Sequence, residues 1–346
     1  MPDIMGEYVD RLVTVEMRNR GMNHGIVRQI YDEARQEGGG RPITARAAEA
    51  LFEKVGPGDV VFFVTGAGYA PFAPNGESDG PPGCAALARA LYWGLKAVPV
   101  YITEECHAPP MVASSKGACI MIRDFELAQG RRMGASHLIA PTDKHQTQSW
   151  AQQIVAQYRP KAVISIERLG PNEDGIVHGS TGVPKDGVDL AHVVLEATRQ
   201  GVLTIGVGDN GNEIGFGRIF DFMKDFHPYG RETQYPGGKG VITTVKTDVF
   251  LPASISNWGA YGIAAMLAFL CKQLDVFHTS EMERDILKNC LDAGGWEMRY
   301  CSNRFIVDGA AGEASMAVVQ LLREMLKLNI AAPDRGLSHG KMKGAA

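Results

Sequence analysis

Residues 202–218 read VLTIGVGDNGNEIGFGR, and this stretch indicates the fold class of the whole chain. Its apolar run at 202–207 is typical of a buried strand, and glycines and polar residues follow it directly. Such a break marks the carboxyl end of a strand in a parallel sheet, which is the edge where open α/β sheets bind their ligands. The stretch therefore predicts a ligand site directly after a strand.

Two carboxylates in this stretch, Asp209 and Glu213, lie four residues apart. If a helix begins within 211–217, Glu213 lies in its first turn and Asp209 lies near the cap position. The oxygens of both residues then converge on one hard cation. The same residues also fit a plain turn with a helix cap, in which Glu213 only complements the helix dipole. Both interpretations stay open at this point.

The composition excludes several classes of protein. The 346 residues are 45% hydrophobic and carry a net charge of −4, so a large core is expected and nucleic acid is not an expected partner. The six cysteines show no C-x-x-C spacing, which favours free thiols in a reducing compartment. Neither a secretory signal nor a membrane-length apolar run is present, so we expect a cytoplasmic protein without a membrane partner. A homo-oligomer is compatible with these features.

Strand and helix patterns alternate through most of the chain. The predicted strands are 59–65, 98–103, 136–140, 162–166, 202–207, 238–246 and 248–252. The predicted helices after residue 56 are 85–95, 111–133, 146–158, 189–200, 264–274, 281–293 and 315–328. This alternation predicts an α/β fold, a doubly wound and mostly parallel sheet flanked by helices. We expect an N-terminal helical segment (1–55) packed on one large catalytic domain (56–332), and a C-terminal tail (333–346).

A long glycine- and proline-rich loop, 66–80, follows the first predicted strand. It brings Glu77 and Asp79 to a helix that begins near Pro81, where free backbone N–H groups favour anions. Gly80 and Gly83 are therefore candidate substrate-binding positions. The alternative is a plain capping loop with Asp79 as the cap, although loops of this length are more often functional.

Other polar residues also follow predicted strands. Glu104 and Glu167 each come directly after a strand, and we interpret His107 as a solvated histidine. Ser256 and Asn257 precede a helix, where they either cap it or bind a ligand carboxylate. The carboxylates expected at one edge of the sheet repel each other unless a cation lies between them. They are Asp79, Glu104, Glu167, Asp209 and Glu213.

Five short segments in order resemble the D-glutamate cyclase family. They are SDGPPG with AALARAL (78–83 and 85–91), SIERLG (165–170), GVGDNGNEIGFG (206–217), SNWGAY (256–261) and VDG (307–309). The resemblance extends from about residue 60 to residue 312. It implies a lyase that converts D-glutamate to 5-oxo-D-proline and water in an acidic pocket with Mn²⁺ or another divalent ion. Oxygen ligands suit Mn²⁺ or Mg²⁺.

The resemblance also implies roles for individual residues. Asp209 and Glu213 are the first-choice metal ligands, followed by Asp79 and Glu167. Glu167 or Glu104 is expected to take the ammonium proton and return it to the leaving oxygen. The remaining candidates bind the substrate or its developing oxyanion: Asn210, Asn257, Ser256 and Arg168, the last as a bidentate partner of a carboxylate.

One segment departs from the family pattern. After Glu167 the family continues to a DG..YNMRG pattern, whereas residues 174–180 read DGIVHGS here. If this loop contacts the substrate, the chain acts on another acid. The alternatives are a related lyase or hydrolase for another small amino or hydroxy acid, and a non-catalytic metabolite-binding protein of the same fold.

Overall fold

A computed structural model describes residues 2–17, 25–131, 133–185, 187–233 and 238–330. The predicted C-terminal tail, 333–346, lies outside these residues. The described chain forms one six-stranded parallel sheet with helices on both faces, and this confirms the predicted α/β fold class.

The six strands of the main sheet pair in the order β3-β2-β1-β4-β5-β6, and every pairing is parallel. They are β1 (Val60–Val64), β2 (Val98–Thr103), β3 (Ser136–Ile139), β4 (Ala162–Ile166), β5 (Leu203–Gly208) and β6 (Val249–Pro252). A short antiparallel hairpin near the C-terminus consists of β7 (Ile306–Val307) and β8 (Ala310–Ala311). Six of the seven predicted strands lie within two residues of an observed strand at both ends, and the exception is 238–246.

Within the described ranges the chain forms twelve α-helices. They are α1 (Pro2–Val13), α2 (Val27–Glu37), α3 (Ile43–Lys54), α4 (Pro81–Ala90), α5 (Ala108–Gly117), α6 (Phe125–Arg131), α7 (Thr147–Tyr158), α8 (Ala191–Arg199), α9 (Phe220–Phe226), α10 (Ser256–Cys271), α11 (Ser280–Asp292) and α12 (Gly312–Ile330). None of them is both long enough and apolar enough to cross a membrane. All six cysteines are free thiols.

Strand β1 shows how the sheet is buried on both faces. Its sequence, VVFFV, is apolar throughout, and all five residues are buried. Val61 and Phe63 join an apolar cluster with α3, α4 and α10. Val60 and Phe62 point to the opposite face and join a cluster with α7 and α8. Because neighbouring side chains of a strand point to opposite faces, a continuous apolar run fits a sheet covered on both sides.

The N-terminal helices pack on the sheet layer through α10. Gly6 of α1 lies close to Ala45 of α3, where an added Cβ would be 2.8 Å from that of Ala45. Val9 and Val13 pack around Gly262 of α10, and they belong to the same apolar cluster as β1. The boundary between residues 55 and 56 stays a prediction.

Two predicted elements are wrong. The single helix expected at 111–133 is interrupted after α5, where Cys119 adopts a left-handed φ of 60° and an isolated bridge joins Ile122 to Ala135. The strand expected at 238–246 does not join the sheet. Its backbone groups bind loops instead, for example Thr243 N to Gly211 O at 3.1 Å. A local apolar pattern does not reveal these distant partners.

Candidate active site

The candidate site lies where the order of the strands reverses direction. The sheet grows outward from β1 through β2 and β3 on one side, and from β4 through β5 and β6 on the other. The loops that follow β1 and β4 therefore diverge and leave a crevice between them, which is where open α/β sheets bind ligands. Residues of the loops after β1, β4 and β5, and of the first turn of α10, meet at this crevice.

Three buried carboxylates form a cluster here, and we call it the acidic triad: Glu167, Asp209 and Glu213. One oxygen from each lies within 4.8 Å of the others, and the residues are only 5%, 3% and 1% exposed. Glu167 follows β4, whereas Asp209 and Glu213 belong to the loop after β5. The predicted meeting of strand ends is therefore observed for these three residues.

The loop after β5 is not the helix start that the sequence analysis considered for residues 211–217. Gly211 and Gly215 have positive φ angles of 111° and 118°, and α9 begins only after a 3₁₀ turn at Phe216–Ile219. Glu213 consequently turns back on its own loop. Its Oε2 accepts hydrogen bonds from the backbone N–H groups of Asn210 at 3.1 Å and Gly211 at 2.9 Å.

The other oxygen of Glu213, Oε1, is buried without a hydrogen-bond partner. Burial raises the pKa of Glu213 to about 7, although its backbone hydrogen bonds oppose the shift. A buried carboxylate oxygen without a partner is costly, and a bound cation removes that cost. The three candidate ligand atoms of the triad are all carboxylate oxygens, and such a donor set fits Mg²⁺ or Mn²⁺.

Glu167 has a strained backbone and a polar partner. Its φ of 47° is left-handed, which is uncommon for a residue other than glycine and typical of functional sites. Ser256 Oγ donates a 2.5 Å hydrogen bond to Glu167 Oε2. Burial, followed by the charges of Glu213 and Asp209, raises the pKa of Glu167 well above its ordinary value. Ser256 thus contacts a candidate catalytic group.

Asp79 caps a different helix from the one the sequence indicated. Its carboxylate accepts hydrogen bonds from the backbone N–H groups of Ser256 at 2.9 Å and Asn257 at 2.8 Å, at the start of α10. Gly80 N donates a further bond at 3.0 Å. Within the described residues, Asp79 is not part of the acidic triad, and the geometry makes it a capping residue beside the triad.

Asn257 binds protein rather than an exposed ligand position. Its Oδ1 accepts hydrogen bonds from Gly80 N at 2.9 Å and Gly83 N at 2.7 Å, and its Nδ2 donates to Ser78 O at 3.0 Å. The backbone N–H groups that we expected to bind an anion are therefore taken by this amide. Gly83 is required because a Cβ there would lie 2.9 Å from Asn257 Oδ1.

Glu104 and Arg168 form a buried ion pair, at 2.5 Å between Glu104 Oε2 and Arg168 Nη1. Glu104 also accepts from Val188 N, and Arg168 also donates to the carbonyl oxygens of Gly66 and Val188. Although burial opposes it, the charge of Arg168 holds the pKa of Glu104 well below its usual range, which makes Glu104 a weak base. The carboxylate of Glu104 and both Nη atoms of Arg168 are bound by protein partners, and Arg168 Nε is buried without a partner. The geometry therefore favours a structural ion pair over proton transfer by Glu104 and over bidentate substrate binding by Arg168.

His107 belongs to the same network, and the interpretation as a solvated histidine is wrong. The ring is buried, with Nδ1 2.8 Å from Glu104 Oε2 and Nε2 2.8 Å from Gly68 O. Burial lowers its pKa, but its contacts with Cys106 and Glu104 outweigh that effect and raise it to about 9.

Asn210, which we expected to bind the developing oxyanion of the substrate, donates from Nδ2 to Asp209 Oδ1 at 2.7 Å. It therefore orients a residue of the acidic triad.

Two acidic residues near the triad were not selected from the sequence as site residues. Glu77 lies in the loop after β1, and Glu297 lies in the segment after α11. Burial and the charges of Asp79 and Glu213 raise the pKa of Glu77 to about 8, and the charge of Glu297 adds to this. Glu297 follows no strand of the main sheet, so the rule that site residues follow strands does not select it. The local feature of the sequence that marks this segment is the turn indicated by Gly294 and Gly295.

The fold and the site together define a doubly wound α/β protein. Its buried acidic centre lies at the switch point, the position between β1 and β4 where the order of the strands reverses. The family described as "D-glutamate cyclase-like, C-terminal" matches residues 9–323, and the chain belongs to this family. The human protein named "D-glutamate cyclase, mitochondrial" is 25% identical over 205 residues, which cover 57% of this chain. The match spans 30% of that human protein.

Proposed function

We propose that this chain is a metal-dependent lyase that converts D-glutamate to 5-oxo-D-proline and water. The observation that carries the proposal is the acidic triad, with the buried and unpartnered Oε1 of Glu213, at the switch point of a D-glutamate cyclase-like fold. The name of the human relative supports the choice of substrate. A small amino acid is thus the partner we propose for the site.

The triad residues take different parts in this proposal. Asp209 and Glu213 hold a divalent cation, Mn²⁺ or Mg²⁺, because they share one loop and because Glu213 Oε1 has no other partner. Such a cation supplies Lewis-acid polarisation of a carboxylate and stabilises negative charge on oxygen. Glu213 Oε2 is held by two backbone N–H groups, and Asn210 orients Asp209, so both carboxylates are pre-organised.

Glu167 carries the proton in this scheme. Cyclisation forms a bond between the α-nitrogen and the carbon of the γ-carboxylate, and it breaks a bond from that carbon to oxygen. The ammonium group loses two protons in all, and the leaving oxygen gains two to become water. Glu167 accepts these protons from nitrogen one after the other and passes each of them to the leaving oxygen. Ser256 Oγ fixes the orientation of Glu167 through its 2.5 Å hydrogen bond. Burial and the neighbouring acids raise the pKa of Glu167, which favours a proton on this carboxyl and suits a proton carrier.

Chiral analysis of the product tests the proposal. The purified chain is incubated with D- or L-glutamate, with added Mn²⁺ or with a chelator. We expect 5-oxo-D-proline from D-glutamate only when the metal is present. A matched control is Glu196→Gln, which alters a buried carboxylate on α8 that pairs with Arg199. If the metal binds and neither enantiomer is converted, the proposed reaction is wrong.

A second candidate function is a related reaction on another small amino or hydroxy acid. It is favoured by the divergent segment 174–180, which lies beside the site: Asn212 Nδ2 donates to His178 O at 2.8 Å, next to Glu213. The same loop is closed by Asn172, whose Oδ1 accepts from the backbone of Asp174 and Ile176. Turnover of a panel of acidic amino and hydroxy acids, with D-glutamate unreactive, would favour this candidate.

A further inference from the structure

Two carboxylates beside the acidic triad have no part in the proposed metal site. Glu77 and Glu297 are brought together because their chain segments pair. Ser78 N donates to Trp296 O at 2.9 Å, and Trp296 N donates to Gly76 O at 3.0 Å, so Glu77 and Trp296 form a parallel bridge. Glu77 also lies close enough to Glu213 for their charges to interact. The charges of Glu213 and Glu297 therefore both act on Glu77.

The carboxylate of Glu297 is held in place with one oxygen unsatisfied. The residue is 1% exposed, and its Oε2 accepts a 2.6 Å hydrogen bond from Tyr300 N. Its backbone exchanges hydrogen bonds with Ser302 in both directions. The remaining oxygen, Oε1, is buried without a partner. The turn from Glu297 to Ser302 fixes the side chain, so this oxygen is satisfied by a bound group that donates N–H or O–H bonds or carries positive charge.

The number of available ligands indicates which kind of cation fits. Among the described residues, the acidic triad is the group that offers three mutually close ligand atoms, and neither Glu77 nor Glu297 belongs to it. A divalent ion needs about six oxygen ligands. An ammonium group carries three N–H donors and is satisfied by a few acceptors. The pair therefore suits a primary ammonium better than a second metal ion.

We propose that Glu77 and Glu297 form an ammonium subsite, which binds the amino group of the substrate beside the metal-binding triad. This inference rests on the proposed function and adds the residues that select an amino acid over the corresponding acid without nitrogen. The subsite places the nucleophilic nitrogen on the Glu297 side of the triad. The pairing of residues 76–78 with Trp296 places Glu77 and Glu297 on neighbouring segments of the chain.

Calorimetry on the Mn²⁺-loaded 346-residue chain tests the subsite. D-Glutamate is compared with glutarate, which has the same two carboxylates and no ammonium group. We expect Glu77→Gln and Glu297→Gln to weaken glutamate binding roughly tenfold, as expected for the loss of one charge partner, and to leave glutarate binding and Mn²⁺ content unchanged. Glu196→Gln again serves as the control. An unchanged preference for glutamate over glutarate in both folded variants would overturn the inference. It would also be overturned if the unmodified chain bound two Mn²⁺ ions and either variant lost one of them, because the substituted residue would then be a metal ligand.

A separate measurement distinguishes failure of the subsite from failure of the proposed function. If neither glutamate enantiomer binds, the proposed substrate is wrong, and the subsite is then judged with simple cations. Methylammonium chloride is expected to raise the melting temperature of the Mn²⁺-loaded chain more than tetramethylammonium chloride at equal ionic strength. The difference is expected to vanish in Glu297→Gln. Equal melting temperatures in the two salts for the unmodified chain would remove the subsite.

Discussion

Carboxylates of one type take different roles in this protein because their immediate partners differ. Glu213 has two backbone donors on one oxygen and none on the other, so it is ready for a cation. Glu104 has Arg168, His107 and Val188 N around it, so it is fixed as an anion. Glu167 is held by Ser256 in a strained backbone conformation. At the residue scale, the groups that contact each carboxylate determine whether it is suited to be a metal ligand, a structural ion or a proton carrier.

Single substitutions of the triad residues are expected to have different effects on metal binding and on turnover. Asp209→Asn is expected to lower the affinity for Mn²⁺ at least tenfold and to abolish turnover, because it removes a charged ligand. Glu167→Gln is expected to keep bound Mn²⁺ and to lower kcat by about 10²–10⁴-fold, the usual contribution of a general acid–base group. Metal content by mass spectrometry and kcat under saturating Mn²⁺ measure the two effects. Loss of metal in Glu167→Gln would make Glu167 a ligand rather than the proton carrier.

At the scale of elements, the first turn of α10 organises the site. Its backbone N–H groups bind Asp79, the side chain of Ser256 binds Glu167, and the amide of Asn257 holds the start of α4. Gly83 allows α4 and α10 to approach closely at this point. One helix terminus therefore connects the loops that follow β1 and β4, and it sets the positions of residues it does not contain.

Asn257→Ala is expected to destabilise the fold as well as the site. The substitution leaves the N–H group of Gly83 buried without its acceptor and leaves Gly80 N with Asp79 Oδ1 alone. An unsatisfied buried group of this kind costs about 1–3 kcal/mol. Urea unfolding of the metal-free chain measures the free energy of unfolding. Asn329→Ala, on the exposed end of α12, is the control, and we expect a change within about 0.5 kcal/mol there. Equal stability of the two variants would contradict the anchoring role of Asn257.

At the scale of the whole molecule, the protein concentrates acidic groups where the sheet order reverses. Two apolar clusters, one on each face of the sheet, hold the strands in register, and the loops at one edge carry the charges. Burial raises the pKa values of Glu77, Glu167 and Glu213 together, so the folded chain without a cation binds more protons than the unfolded chain. The apolar core must offset this electrostatic cost.

The free energy of unfolding of the metal-free chain is therefore expected to fall as the pH rises from about 4.5 to about 8. Below pH 4.5 these groups are protonated in both states, and above it the unfolded chain loses protons that Glu213 and Glu77 keep up to about 7 and 8. His107 acts in the same direction, because its stabilisation is present below 6.5 and is lost as the pH rises through about 9.

Mn²⁺ is expected to reverse the fall in the free energy of unfolding at higher pH. The ion competes with protons for the triad and therefore binds more tightly as the pH rises. Denaturant unfolding at pH 5 and pH 8, with Mn²⁺ and with chelator, measures both effects. A metal-free chain that is more stable at pH 8 than at pH 5 would contradict the raised pKa values of the buried cluster.

Local patterns were sufficient to predict most of the sheet. Strands β1, β2, β4 and β5 are short apolar runs bounded by glycine and polar residues, and such runs are recognisable without knowledge of their partners. The expected strand at 238–246 failed because its backbone groups pair with loops around the site instead of with β6. The helix considered at Glu213 does not form, because two glycines with positive φ keep the chain in a loop.

The sequence by itself determined the α/β class, the placement of acids after strands and the resemblance to the D-glutamate cyclase family. The tertiary structure decided which acids meet and what each one does. Asp79 binds Asn257 N across 178 positions, and Glu104 pairs with Arg168 across 64 positions. The strength of a buried carboxylate as acid, base or ligand depends on the charges and donors within a few ångströms of it. Those neighbours come from distant parts of the chain, so only the folded structure brings them together.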